Sequence, residues 1–166
     1  MKDLGELHHI LGMHVQRYGD GLLSQKQYML EILDRAGMTE CRPCSTPVDT
    51  NPKVAAADGA PVAHATDFHI LAGTIQYLSF TRPDIAYAVQ QVCLHMHANR
   101  EPCVAALKRI LWYIRGTLRL GLLLQPSSSA DLQVYTDVNW AGYLNTRKST
   151  SGYAVFRGGK GPNILN

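Results

Sequence analysis

The spacing of apolar positions changes twice along these 166 residues, and each change marks a different kind of element. Near the start, "LHHILGMHVQRYGDGLLSQ" sets two apolar runs on either side of Tyr18-Gly19-Asp20-Gly21. Asp-Gly suits turn positions that need a positive φ, so the stretch predicts a β-hairpin. In "SQKQYMLEILDRAGM" the period becomes helical: Tyr28, Ile32 and Ala36, or Met29, Leu33 and Ala36, fall on one side. Ser24 can accept the free N–H groups of the first turn, and Gly37 suits a left-handed cap after the last. Residues 38–65 hold four prolines and show no period, which predicts an extended linker lying over the surface or joining two units. Three helices follow. Thr66 or Asp67 can cap the first, which runs to about Phe80. Pro83 suits the start of the second, with Ile85, Val89, Val92 and Met96 as its buried stripe. "EPCVAALKRILWYIRGTL" is the third, with Gly116 at its frayed end. Short apolar strands then return at 121–125, 132–137 and 151–159, and "KGPNILN" reads as a ragged end.

Composition narrows the class of molecule. Hydrophobic residues make up 46% of the chain, enough for a core and unlike a disordered chain. No apolar run approaches a membrane span, and "MKDLGELHHILG" does not read as a signal peptide, so no membrane partner is expected. Four scattered cysteines do not make a secreted disulfide framework. The expectation is a reducing, intracellular compartment, with cytoplasm and nucleus undecided. The net charge of +3 is unevenly placed. Residues 1–99 carry seven Lys/Arg against ten Asp/Glu, and residues 100–166 carry nine against three. The second part is the better candidate to face a polyanion, although many soluble domains are as lopsided without binding nucleic acid.

On the third helix of that run, Lys108, Trp112, Arg115 and Arg119 fall within one narrow stripe at about 100° per residue. Leu107, Ile110, Leu111, Ile114 and Leu118 fall opposite. Three cations around an indole can hold phosphates and stack a base. The plainer alternative is a solvated basic face with Trp112 partly packed, since amphipathic helices keep Lys and Arg outside as a rule. Cys41-x2-Cys44 has zinc-knuckle spacing, with Cys93, His95, His97 and Cys103 as conceivable second halves. His95 and His97 point roughly 200° apart on a helix, and no second CxxC or HxxxH closes a set of four, so no zinc site is expected. His8, His9 and His14 are scattered too. No Gly-rich phosphate loop or nucleophile elbow occurs.

Asp137 ends an apolar strand beside Trp140, where a carboxylate could ligate a divalent ion. Two-metal phosphodiester hydrolysis needs several converging carboxylates. The sequence holds no Asp or Glu after Asp137, the nearest acid is Asp131 at the far end of the same strand, and Asn139 is neutral.

Several stretches, in order, carry a resemblance: "MKDLGELHHILGMHVQR", "GLLSQKQYMLEILDRAGM", "STPVD", "LAGTIQYLSFTRPDIAYAVQQV", "ALKRILWYIRGTLRLGLLL" and "YTDVNWAGYLNTRKSTSGYAVF". Together they resemble the polyprotein of Ty1/copia-type retrotransposons, from the end of the reverse transcriptase palm into the ribonuclease H domain, over nearly the whole chain. "SFTRPDIAYAV" and "TRKSTSGYAVF" are its most specific parts. The resemblance implies an α+β fold: a palm hairpin and first helix over 1–37, a Pro-rich linker over 38–65, thumb- or connection-like helices over 66–119, and an incomplete antiparallel ribonuclease H-like sheet over 120–166.

The family's activities are RNA-directed DNA polymerase and RNA-strand hydrolysis, each with Mg²⁺. The resemblance puts the polymerase aspartates upstream of "MKDLG". It matches Asp137 to the first ribonuclease H carboxylate, a vestigial Mg²⁺ ligand whose partners fall on a helix and strand beyond the likeness, which fades after Phe156. His9, Ile10, Cys44, Trp112, Asn139 and Tyr143 depart from the family's usual residues. The implied function is a fragment, non-catalytic and without a cofactor alone, binding RNA/DNA or DNA duplex weakly through Lys108, Trp112, Arg115 and Arg119. Its implied partners include the missing palm and ribonuclease H segments. The alternatives are a domesticated interaction or regulatory protein using an exposed sheet edge, or a translated pseudogene.

Overall fold

The computed structural model describes residues 9–10, 13–18, 20–49, 59–61, 65–94, 100–124, 131–141, 147, 149–157 and 163–165. Among the described residues the fold is α+β, with four helices, a five-stranded antiparallel sheet and a separate two-stranded ribbon. Strands β1 (His9–Ile10), β2 (Met13–Tyr18) and β3 (Asp20–Ser24) form consecutive antiparallel pairs. Asp20 and Gly21, expected in the turn, already pair in β3 opposite Tyr18 and Arg17, and Gly19 lies outside the described residues.

Helix α1 (Lys26–Arg35) follows directly. Its N-cap is Gln25 rather than Ser24, although the Ser24 hydroxyl accepts the Lys26 N–H at 3.3 Å and so still serves a first-turn donor. Gly37 takes φ 63°. The Met38 and Gly37 N–H groups donate back to the Leu33 and Asp34 carbonyls, which closes the helix as a Schellman motif. Helices α2 (Ala65–Leu78), α3 (Pro83–Leu94) and α4 (Glu101–Gly116) complete the bundle. Their buried faces follow the helical period: Phe68, Ala72, Ile75 and Leu78; Ile85, Ala88, Val89 and Val92; Cys103, Leu107, Ile110, Leu111 and Ile114. With Met29, Ile32 and Leu33 of α1 these make one core. Met96, expected on the same stripe, lies outside the described residues.

The sheet departs from expectation. Strand β4 (Gly121–Leu124) was predicted to join the two strands after it. Instead it pairs antiparallel with β3, Leu23 opposite Leu122, and β7 (Asn163–Leu165) pairs on its other side. The "ragged end" therefore contains a strand. All four helices are inserted between two neighbouring strands, so the N-terminal hairpin, the helices and β4 are linked through one sheet. Among the described residues β5 (Leu132–Asn139) and β6 (Thr150–Arg157) pair with each other alone, as a ribbon of two strands rather than three. No described helix is long and apolar enough to cross a membrane.

Candidate nucleic-acid interface

Helix α4 turns its apolar side into the core and leaves Lys108 and Trp112 on the outside, the indole 37% exposed. Arg115 is half-buried on the same side. Arg119 is exposed but not helical: α4 ends at Gly116 with Thr117 as its C-cap, so Arg119 sits in the turn that follows. The stripe of four expected from helical spacing is thus three positions on a helix and one beyond its end.

Residues 39–49 of the proline-rich stretch run as a strap along this helix, antiparallel to it. Arg115 Nε donates to the Thr39 carbonyl at 2.6 Å. The Cys44 N–H donates to the Trp112 carbonyl at 3.3 Å, and its thiol to the carbonyls of Thr46 and Arg109. Arg109, which the sequence did not single out, donates to Thr46 Oγ1 at 2.9 Å and lies 3.7 Å from the Asp49 carboxylate. At the other end of α4 the Glu101 N–H reaches the Ala60 carbonyl, satisfying a free first-turn donor, and Arg100 donates to the Gly59 carbonyl. The strap therefore engages Arg109 and part of Arg115 and leaves Lys108 outward.

The strap comes close to the helix at Gly116, where an added Cβ would stand 2.9 Å from Pro43 Cβ. Gly→Ala in a helix ordinarily stabilises by up to about 1 kcal/mol. Here the sign is expected to reverse. Gly116→Ala should lower stability by about 1–3 kcal/mol through overpacking against a stiff ring. Denaturant unfolding checks this, and a stabilised variant would show that the strap does not lie on α4.

Beneath the C-terminal end of α4 sits a buried polar cluster that sequence reasoning missed. The Arg82 side chain is fully buried, a state a cation reaches only when paired. All five of its N–H donors find acceptors. Nε and Nη2 grip the Asp84 carboxylate at 2.9 and 2.7 Å, Nη2 also reaches Thr117 Oγ1 at 2.7 Å, and Nη1 meets the Thr117 carbonyl at 3.0 Å and Met29 Sδ at 3.3 Å. The Tyr113 ring lies against the guanidinium, 5.6 Å from centroid to Cζ. Thr81 Oγ1 donates to Gln25 Oε1 at 2.7 Å, tying the α2–α3 turn to the N-cap of α1. The cation thus lies at the dipole-negative end of α4 and the anion at the start of α3, each where the helix favours it.

Burial alone would raise the Asp84 pKa. The hydrogen bonds and charge of Arg82 together outweigh that and hold the carboxyl below the usual range. Burial, then the bond to Asp84, raises Tyr113. The signal was in "TRPD", where an Arg and an Asp flank a helix-starting Pro, but nothing local shows that the Arg turns inward.

Asp137 lies on β5 directly opposite Gly152, and every residue of β5 is exposed. Among the described residues no group of three or more His, Cys, Asp or Glu side chains could hold a metal ion. Cys41 and Cys44 are free thiols on the strap. Cys93 is half-buried, with its thiol pKa raised by burial, and Cys103 belongs to the core. His95 and His97 lie outside the described residues.

Comparison with known proteins supplies the wider frame. No family model and no solved structure matches the chain. It is 42% identical over 162 residues to an uncharacterized mitochondrial protein of Arabidopsis thaliana, a match covering 95% of this chain and 66% of that protein. It is 40% identical over 159 residues to the retrovirus-related Pol polyprotein from transposon RE1 of Arabidopsis thaliana, covering 95% of this chain and 11% of the polyprotein. The Pol polyprotein from transposon TNT 1-94 of Nicotiana tabacum is 34% identical over 170 residues, covering 96% and 13%. The chain therefore spans about two thirds of the first relative and a small part of each polyprotein.

Proposed function

From its homology over most of its length to the Pol polyproteins of Ty1/copia retrotransposons, we propose that this chain is a segment of the reverse transcriptase/ribonuclease H lineage that binds primer–template-like nucleic acid without catalysing its synthesis or cleavage. The observation that carries the reading is the outer face of α4. Lys108 and the Trp112 indole stand exposed there, with Arg115 beside them and Arg119 just past the helix end. Cations at this spacing contact phosphates without regard to sequence, and an exposed indole offers a stacking surface. The strap and the Arg82 cluster fix the helix, so Lys108, Trp112 and Arg115 are presented on a braced element rather than a loop.

Hydrolysis of a phosphodiester by the family's Mg²⁺ chemistry needs several carboxylates on one pair of ions. Asp137 stands opposite a glycine on an exposed ribbon, which supports the reading of Asp137 as vestigial. The isolated chain is expected to show no primer extension and no RNA-strand cleavage with Mg²⁺ or Mn²⁺. Either activity in the purified chain, abolished by Asp137→Asn, would overturn the non-catalytic assignment. A second reading, an interaction protein, is favoured by the uncovered β5–β6 ribbon.

A further inference from the structure

We propose that one face of the β5–β6 ribbon is a self-association surface that packs against the same face of a second copy of this chain. This names a partner within the second reading above and does not depend on nucleic-acid binding. The pairing register puts Leu132, Val134, Thr136 and Val138 on one face with Ser151, Tyr153, Val155 and Arg157. Val134, Val138 and Val155 are each more than half exposed, Leu132 is 67% exposed and Tyr153 82%. No other described element packs on either strand by more than a marginal contact. An isolated two-stranded hairpin is marginal in water and needs a further strand or layer.

The chemistry of the face selects the occupant. An isologous contact sets the patch against itself, so a charge near the two-fold axis meets its own like charge, and a face without charge at its centre suits self-pairing. This face carries one charged position, Arg157, at its end opposite Leu132. The reverse face carries Asp137 near its middle, beside the Tyr135–Phe156 ring pair, and is the poorer self-partner. Covering five large apolar side chains in each copy removes on the order of 1,000 Å² in total, the size at which specific interfaces begin. Antiparallel ribbons stacked face to face also bring both layers to the thickness of an ordinary two-layer sheet packing.

The test is analytical ultracentrifugation of the whole chain across micromolar concentrations, with three variants. The wild type is expected to move from monomer to dimer as concentration rises. Val134→Lys, at the centre of the face, should weaken association at least tenfold, while Gln133→Lys, on the reverse face, should not. Helical circular dichroism must be unchanged in both. Because a lysine could also loosen the ribbon, Thr136→Cys provides a gain of signal: under mild oxidation it should form a disulfide between copies, and Gln133→Cys should not. A wild type that stays monomeric overturns the proposal, and ribbon amides protected from exchange in that monomer would assign the cover to the chain itself. Equal cross-linking from both faces, or open-ended growth beyond the dimer, overturns it as well.

Discussion

Arg82→Ala is expected to lower stability by about 3–5 kcal/mol, because it leaves the largely buried Asp84 carboxylate without its cation. That is a large part of the roughly 5–15 kcal/mol that holds an ordinary domain folded. The loss is not confined to one ion pair. The same guanidinium also holds the Thr117 carbonyl and hydroxyl, and so the junction where α4 ends and the chain turns toward β4. Arg82→Lys keeps the charge but not the two-sided fork, and should recover only part of the loss. The double change Arg82→Met, Asp84→Leu should be milder than Arg82→Ala, since it removes both charges together.

The pair also sets an acid limit. The folded-state pKa of Asp84 is lowered, so its contribution is complete above the ordinary carboxylate value of about 3.9 and is lost as the pH falls below that, through the lowered value. Urea unfolding at pH 7 and pH 3 measures both effects. A loss under about 1 kcal/mol in Arg82→Ala would show that the cluster is not the brace described here.

Ile114→Ala is expected to cost about 2–5 kcal/mol, the usual range for a buried aliphatic side chain, since Ile114 is completely buried in α4. Its consequence should reach beyond the helices. The helices are inserted between β3 and β4, and those strands pair with each other. Amide exchange should therefore speed up in α1 to α4 and in β3–β4 together, as one cooperative unit. Helical amides that open while β3–β4 keeps its protection would show two independent units and support the domain boundaries expected from its sequence.

Those boundaries illustrate what sequence could and could not convey. Local periodicity placed every helix within a few residues, because burial stripes such as Ile85, Val89 and Val92 repeat along a single element. Gly37 was legible for a similar reason, since its cap is built from neighbours. The pairing of β4 with β3 was not, since it joins Leu122 to Leu23 across almost a hundred residues, and a run of leucines carries no address. Arg82 was read past because a charged residue beside a proline looks like a solvated helix start. The distant Thr117, Tyr113 and Met29 make it a core residue. At the candidate interface, Lys108, Trp112 and Arg115 followed from helical spacing. Arg119 fell off the helix because Gly116 and Thr117 end it. The strap's hold on Arg115 is a contact with Thr39, which periodicity cannot report.

Nucleic-acid binding by the α4 face is tested most directly by a salt titration of duplex binding, followed by fluorescence anisotropy. The wild type is compared with the triple variant Lys108→Ala, Arg115→Ala, Arg119→Ala, after thermal melts have shown that both are folded. The expected result is weak, sequence-indifferent binding by the wild type whose log K falls steeply with log salt. In the triple variant the magnitude of that slope should drop by about 2.7, three phosphate contacts at about 0.9 each. No duplex binding by the wild type at low salt, or an unchanged slope in the folded triple variant, would contradict the assignment.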